Sequence, residues 1–233
     1  MELRYLDLYR AWGLNDAALD RLALLGDRLL QAGFNVTGIR EAEEIERLHF
    51  LDSLSLLDLD VVREAKSLVD VGAGAGLPSL VLALALPKAS VTALESQQKK
   101  CTYIVQAAEA LGLRNVVVRC ERAEEYGRKA GREAHDVAVS RAVGILPVVA
   151  EYSIPLLVLG GTMVAMKGAI SNQERIQAEK ALGILGAEML PPLRLTPFRG
   201  AENRWVYLAR KVRVTPEKFP RRPGIPRKRP LGL

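Results

Sequence analysis

Three glycines at alternate positions, Gly72, Gly74 and Gly76, follow the apolar run Leu68-Val69-Asp70-Val71 and precede a second apolar run from Leu80 to Leu86. Read as a buried parallel strand, a glycine turn and a helix, this junction lets backbone approach a ligand closely and points free helix N–H groups at it. A dinucleotide fingerprint of the form G-x-G-x-x-G would need glycine at position 77, where Leu77 stands. A second strand, Ser90 to Leu94, ends in Glu95, 19 residues after Gly76. An acid at that place accepts both ribose hydroxyls of a nucleoside and repels a 2′-phosphate. Spacing alone leaves open another nucleotide binder, such as an NAD domain, or a glycine turn with no ligand.

From Ser67 onward strands and helices alternate. A third strand, Asn115 to Arg119, leads into the loop Glu121-Arg122-Ala123-Glu124, and a fourth, Asp136 to Val139, into Ser140-Arg141-Ala142. A fifth, Thr162 to Met166, ends in Lys167. Two more strands, near Glu188–Leu195 and Arg204–Arg210, are expected to form an antiparallel pair closing one edge. Ligands of open α/β sheets bind beyond the carboxyl ends of the strands. Gly72, Glu95, the Ala123–Glu124 pair, Arg141 and Lys167 all lie there, which points to a single site. Glu124 is placed to read an adenine amino group, and Arg141 to reach a carboxylate or phosphate.

Residues 1–62 read as a helical extension. Asn15 or Asp16 caps a helix with Leu19, Leu22, Leu25 and Leu29 on one side, closing near Gly33. After a turn at Phe34-Asn35-Val36-Thr37, a second helix opens with Glu41, Glu43 and Glu44, where carboxylates suit the dipole. At the α-helical 100° per residue, His49, Asp52 and Ser53 share an arc of roughly 100°. Phe50, Leu51, Leu54 and Leu57 cover the opposite side. The helix is thus apolar nearly all round with one polar notch, read either as a satisfied buried cluster or as a face turned to the mouth of the site.

The 233 residues suffice for one large α/β domain with an appendage, and at 49% hydrophobic but 5% aromatic the core is aliphatic. The longest apolar stretches are too short to span a bilayer, so a cytoplasmic protein is expected. Cys101 and Cys120 have no metal-ligand spacing and read as small buried hydrophobes; no metal site is expected. The net charge of +6 comes entirely from the C-terminal segment. Lys211, Arg213, Lys218, Arg221, Arg222, Arg227, Lys228 and Arg229 stand there against Glu217 alone. Five of the twelve prolines fall in the same stretch, so it reads as an extended, semi-rigid arm. Its charge suits a polyanion such as nucleic acid, through phosphate contacts that position rather than specify.

The motif D-x-G-x-G-x-G from Asp70 to Gly76 resembles the first motif of class I S-adenosylmethionine-dependent methyltransferases. Taken with Phe34-Asn35-Val36-Thr37, His49-Phe50-Leu51-Asp52-Ser53, Arg122-Ala123-Glu124, Ser140-Arg141-Ala142-Val143, Met166-Lys167-Gly168 and the tail from Phe219-Pro220-Arg221 to Pro230-Leu231, the chain resembles the bacterial small-subunit ribosomal RNA guanine-N7 methyltransferases, the RsmG or GidB family. It departs from that pattern at Ser79, Glu95, Lys100 and Tyr103, where Gly, Asp, Arg and Phe are usual. None of these removes a ligand type.

The resemblance implies a Rossmann-like fold, with a mostly parallel seven-stranded sheet carrying helices on both faces. Residues 1–62 would form a helical extension packed on the core, 63–211 the methyltransferase domain, and 212–233 the basic arm. It implies that S-adenosylmethionine is held by Gly72, Leu77, Ala123, Glu124 and Arg141, to which the physical argument adds Gly74, Gly76 and Glu95. The product would be S-adenosylhomocysteine, and the target N7 of guanine 527 in the 530 loop of 16S ribosomal RNA, offered as RNA or as a small-subunit precursor. Guanine N7 carries an in-plane lone pair and no proton, so no catalytic base is named; His49, Asp52 and Lys167 are candidates for orienting the substrate. A small-molecule methyltransferase of the same fold and a non-catalytic ribosome-assembly protein are the alternatives. A monomer is expected, since no apolar helix face is left over.

Overall fold

The computed structural model describes residues 1–33 and 37–233. Of the turn at 34–37, only Thr37 lies within the described residues.

The chain begins with α1 (Leu6–Ala11) and α2 (Asp16–Leu30), the latter capped by Asn15, whose side chain accepts from the Ala18 N–H. Next, α3 (Ala42–Ile45) runs into a π-helical stretch, Glu46–Leu51, then α4 (Asp52–Leu54), a 3-10 turn (Ser55–Asp58) and α5 (Asp60–Arg63). The expected regular helix over the forties and fifties is therefore corrected. The i→i+5 bonding of a π-turn inserts an extra residue into the helical phase. His49 and Asp52 face a cavity, while Ser53 is fully buried and donates back to the His49 carbonyl. Glu46, also fully buried, accepts from the Arg4 and Tyr5 N–H groups and the Tyr9 hydroxyl, which moors the N-terminus to this stretch.

The sheet is formed by β1 (Ser67–Val71), β2 (Ser90–Glu95), β3 (Val116–Cys120), β4 (His135–Arg141), β5 (Leu157–Lys167), β6 (Ala187–Met189), β7 (Leu193–Arg194) and β8 (Trp205–Lys211). Between them lie α6 (Ser79–Ala85), α7 (Gln98–Ala110), α8 (Ala123–Tyr126), α9 (Leu146–Ser153) and α10 (Asn172–Leu185), and α11 (Ile225–Lys228) lies in the C-terminal arm. The order is β3-β2-β1-β4-β5-β8-β6, with β7 also on β8. The first five strands are parallel and β8 is antiparallel to β5. The sheet is seven strands wide, but its last edge is split into β6 and β7 where a continuous strand was expected. Pro191 and Pro192, which cannot donate to the ladder, stand at the break. The strand expected from Thr162 begins at Leu157 and bends at Gly160-Gly161, where the pairing with β4 shifts register.

Alternation along β1 splits the core. Leu68 joins the cluster formed by the N-terminal leucines and α6. Val69 and Val71 join the cluster of α9, α10 and Phe219.

Two expectations from composition are corrected. Cys101 and Cys120 form a disulfide, their Cα atoms 5.8 Å apart. Glu95 and Cys120 are register partners across β2 and β3, and Cys101, in the first turns of α7, packs over that pair. The C-terminal segment, expected as an extended, semi-rigid arm, is a strap tied to the fold. Arg128 donates to the Pro220 carbonyl and Arg132 to those of Phe219 and Thr215. Arg221 grips the fully buried Glu151 through Nε, Nη2 and its backbone N–H at 2.6–3.1 Å. Lys211, counted with the basic run, is fully buried at the end of β8 and donates to Glu133 and to the Ile154 and Leu157 carbonyls.

Arg221→Ala leaves the Glu151 carboxylate buried and unpaired, so the expected loss is about 3–5 kcal/mol in urea unfolding. Adding Glu151→Leu should recover much of it; a loss under about 1 kcal/mol would show that the pair does not hold the strap. The 19-residue disulfide loop is worth about 3 kcal/mol by loop closure. Reductant should therefore lower the melting temperature by roughly 6–12 °C, and the shift should vanish in Cys120→Ser. Two titratable thiols in the non-reduced protein would contradict this.

Candidate functional site

The strand order reverses between β1 and β4, the position where open α/β sheets leave a crevice beyond their carboxyl ends. Two cavities meet there at Gly72. The smaller, about 450 Å³, lies over β2 and β3 and is lined by Glu95, Glu121, Ala123, Glu124, Tyr152 and Arg227 among others. The larger, about 580 Å³, lies over β4, β5 and the start of β8, and is lined by Gly74, Leu77, His49, Asp52, Arg141 and Lys167 among others. Every candidate residue read from the sequence borders one cavity or the other except Gly76.

The floor is backbone. Gly72 (φ +74°) and Gly74 (φ +60°) adopt left-handed conformations, and a Cβ on Gly72 would meet Val143 Cγ2 at 3.0 Å. Gly76 (φ +80°) serves packing, since a Cβ there would lie 2.6 Å from Leu80 Cδ1. Two carboxylates hold the turn. Asp70 Oδ2 accepts from the Ser79 N–H at 3.0 Å, and Glu95 Oε2 from the Gly74 N–H at 2.9 Å. Glu95 Oε1 accepts from Ser96 and Gln97. Three of the roughly four acceptor positions of a carboxylate are therefore used on Glu95, leaving one for a ligand hydroxyl where the sequence led us to expect two. Burial pushes the Asp70 carboxyl up to about 6, against the bonds from Ser79 that pull it down.

The larger cavity is walled by a polar group drawn from three distant segments. Arg141 Nη1 donates to the Leu48 carbonyl at 3.1 Å and stands 3.3 Å from Asp52 Oδ2. Arg204, just before β8, places Nε 2.9 Å from Asp52 Oδ1. Burial, then the Arg141 charge, lowers the His49 imidazole to about 4, so it is neutral at pH 7. Its Nδ1 lies 3.1 Å from the Leu48 carbonyl, and its buried Nε2 has no partner. Lys167 is held by the Gly144 carbonyl at 2.7 Å and by Glu174 at 3.3 Å, so its ammonium is already engaged. Glu124, buried, accepts from the Gly224 N–H at 2.9 Å. Ala142, beside Arg141, has φ +57°.

Sequence reasoning missed Arg204, Asn203 and Arg227. The first two precede a strand, whereas the rule for open sheets searches after strands. β8 is antiparallel, with Trp205 opposite Lys167, so its beginning lies at the same edge as the ends of its parallel neighbours. Among the described residues no group of three or more His, Cys, Asp and Glu could hold a metal ion, and no helix is long and apolar enough to cross a membrane.

A largely parallel sheet with its crevice at the β1/β4 reversal and a glycine turn as floor defines the Rossmann-like class I methyltransferase fold. Solved structures agree on that fold. A SAM-dependent O-methyltransferase from Thermotoga maritima matches at 19% identity over 82% of this chain and 72% of its own, with TM-score 0.54. A fibrillarin pre-rRNA processing protein from Methanococcus jannaschii matches at 15% identity over 70% and 74%, with TM-score 0.53. The family model "rRNA small subunit methyltransferase G" (GidB) matches residues 22–194. Curated relatives named ribosomal RNA small subunit methyltransferase G include one from Rubrobacter xylanophilus, 42% identical over 95% of this chain and 87% of the relative. Another, from Bacillus thuringiensis, is 40% identical over 84% and 83%. The chain belongs to this family of methyltransferases.

The titrating groups make stability depend on pH with a definite sign. His49 and His135, the latter lowered to about 4 by burial, are protonated first in the unfolded chain. Their contribution is complete above pH 6.5 and is lost as pH falls towards 4. Asp70, with its folded value raised to about 6, acts the other way: its contribution is present below the unfolded value of 3.8 and lost as pH rises through 6. Two imidazoles against one carboxyl predict lower unfolding free energy at pH 5 than at pH 7. Asp70→Asn should steepen that decline and His135→Gln flatten it; a protein more stable at pH 5 would contradict the assignment.

Proposed function

We propose that the chain transfers the methyl group of S-adenosylmethionine to N7 of guanine 527 in the 530 loop of 16S ribosomal RNA. The observation that carries this reading is the junction at Gly72 of two cavities with different linings, one suited to a nucleoside and one to a second, planar reactant. The residues fit the cofactor. Left-handed Gly72 and Gly74 open the floor, Glu95 keeps one acceptor position for a ribose hydroxyl, and the Ala123–Glu124 backbone borders the adenosine end. Arg141 stands beyond Gly72, on the side of the amino-acid end. Bound there, S-adenosylmethionine supplies an electrophilic sulfonium methyl.

The chain's own residues have a task of positioning. Guanine N7 offers its lone pair without losing a proton, so no base is needed, and rate depends on a near-attack geometry held by the walls. Asp52, fixed between Arg141 and Arg204, and His49, neutral with a free Nε2, orient the base. Lys167, engaged by Gly144 and Glu174, holds the loop after β4 rather than meeting the substrate. A loop guanine is presented at modest unstacking cost. Exposed basic residues of the strap such as Lys218, Arg222 and Arg229 provide phosphate contacts for RNA in the cytoplasm, where small subunits are made.

Incubation with labelled S-adenosylmethionine and small-subunit particles lacking the modification should place one methyl on N7 of that guanine. Asp52→Asn, which keeps shape but removes the charge between the two arginines, should lower kcat about 100-fold with little change in cofactor affinity. Label in no RNA, despite cofactor binding, would overturn the substrate assignment.

A further inference from the structure

The C-terminal strap passes over the smaller cavity, and one of its side chains belongs to that cavity's wall. On the near side it is anchored by Phe219 in the core, by Arg221 on Glu151, and by the Gly224 N–H on Glu124. Gly224 takes φ +81°, a turn that directs its N–H at the Glu124 carboxylate. On the far side Leu231 packs against the core cluster. Between these anchors Arg227, one residue into the last turn of chain after Pro226, lines the cavity together with Glu95, Glu124 and Tyr152.

We infer that Arg227 is a cofactor-positioning residue, closing the adenosine end of the site with its guanidinium against the purine. This rests on the cofactor reading given above and extends it to the strap, beyond residue 194 where the family model's match ends. At the adenosine end the ligand presents no anion, since its carboxylate lies at the other end beyond Gly72, while a planar, weakly hydrated guanidinium stacks on aromatic faces. Glu124 adds a second link, because the carboxylate that borders the ligand also holds the strap. Ordering of the strap and occupancy of the pocket are therefore coupled, and by linkage each favours the other to the same extent.

Calorimetric titration of the full chain with S-adenosylhomocysteine and with 5′-methylthioadenosine, which lacks the amino-acid end, tests this. Arg227→Ala should weaken both nucleosides about five- to tenfold. Lys228→Ala, an equal loss of charge on the neighbouring residue, should leave both unchanged. In the wild type, S-adenosylhomocysteine should slow hydrogen exchange over residues 221–229. Unchanged affinity in Arg227→Ala, equal weakening by both variants, or weakening of S-adenosylhomocysteine alone would each overturn the assignment to the adenosine end. A wild-type chain that binds neither nucleoside would overturn the cofactor reading and this inference with it, whereas intact binding in Arg227→Ala overturns this inference alone.

Discussion

The glycine turn after β1 buries Ala73, Ala75 and Leu77 in the core, and two carboxylates secure its backbone: Glu95 accepts from Gly74 in mid-turn and Asp70 from Ser79 just beyond it. Asp70 lies wholly inside, receives the Ser79 N–H, and so starts α6 at a defined place. Glu95 receives the Gly74 N–H from across the β1–β2 pair. Bonds to an ionised acceptor are stronger than those between neutral groups, but burying the acceptor costs solvation, and burial raises the Asp70 carboxyl against those bonds. The turn is thus held by groups that would rather be in water. Its left-handed glycines tolerate this because no Cβ competes for the same space.

A second constraint joins the N-terminal extension to the sheet. Asp52, in the first half of the chain, meets Arg141 and Arg204 from the second. Across the π-helical stretch His49 and Asp52 face the crevice while Phe50, Leu51 and Leu54 stay in the core, the partition a regular helix also gives; Ser53 departs from it and is buried. The extension is therefore a wall of the larger cavity as well as a cover for one face of the sheet.

Much of this was legible in the sequence, for local reasons. The strands on either side of the glycine turn are short apolar runs with acids or basic residues at their carboxyl ends, and those ends converge whatever the loops do. The cap at Asn15, one of the two candidates, and the leucine face of its helix follow from residues within a few turns of each other. What escaped depends on contacts distant in sequence. A helical wheel assumes 3.6 residues per turn and cannot register the π-turn. The pairing of Cys101 with Cys120 needs the register of β2 on β3. The strap read as an extended, semi-rigid arm because its partners, Glu151 and Glu124, lie 70 and 100 residues away. Charge counting treated Lys211 and Arg221 as free cations, whereas each is committed to a partner within the fold.

The electrostatics of the larger cavity set what its imidazole can offer a substrate. A base works best with a value near the working pH, and an imidazole is brought there by a carboxylate on its ring. His49 has the reverse surroundings: its neighbours are a carbonyl and the Arg141 guanidinium, and burial with that charge lowers it to about 4. The nearby carboxylate, Asp52, spends its oxygens on two arginines instead. An imidazole so placed is a weak base at neutral pH but a steady hydrogen-bond partner, since it stays neutral across the physiological range. That combination suits a nucleophile arriving with its lone pair exposed, for which moving a proton would add a step and fixing an angle removes one.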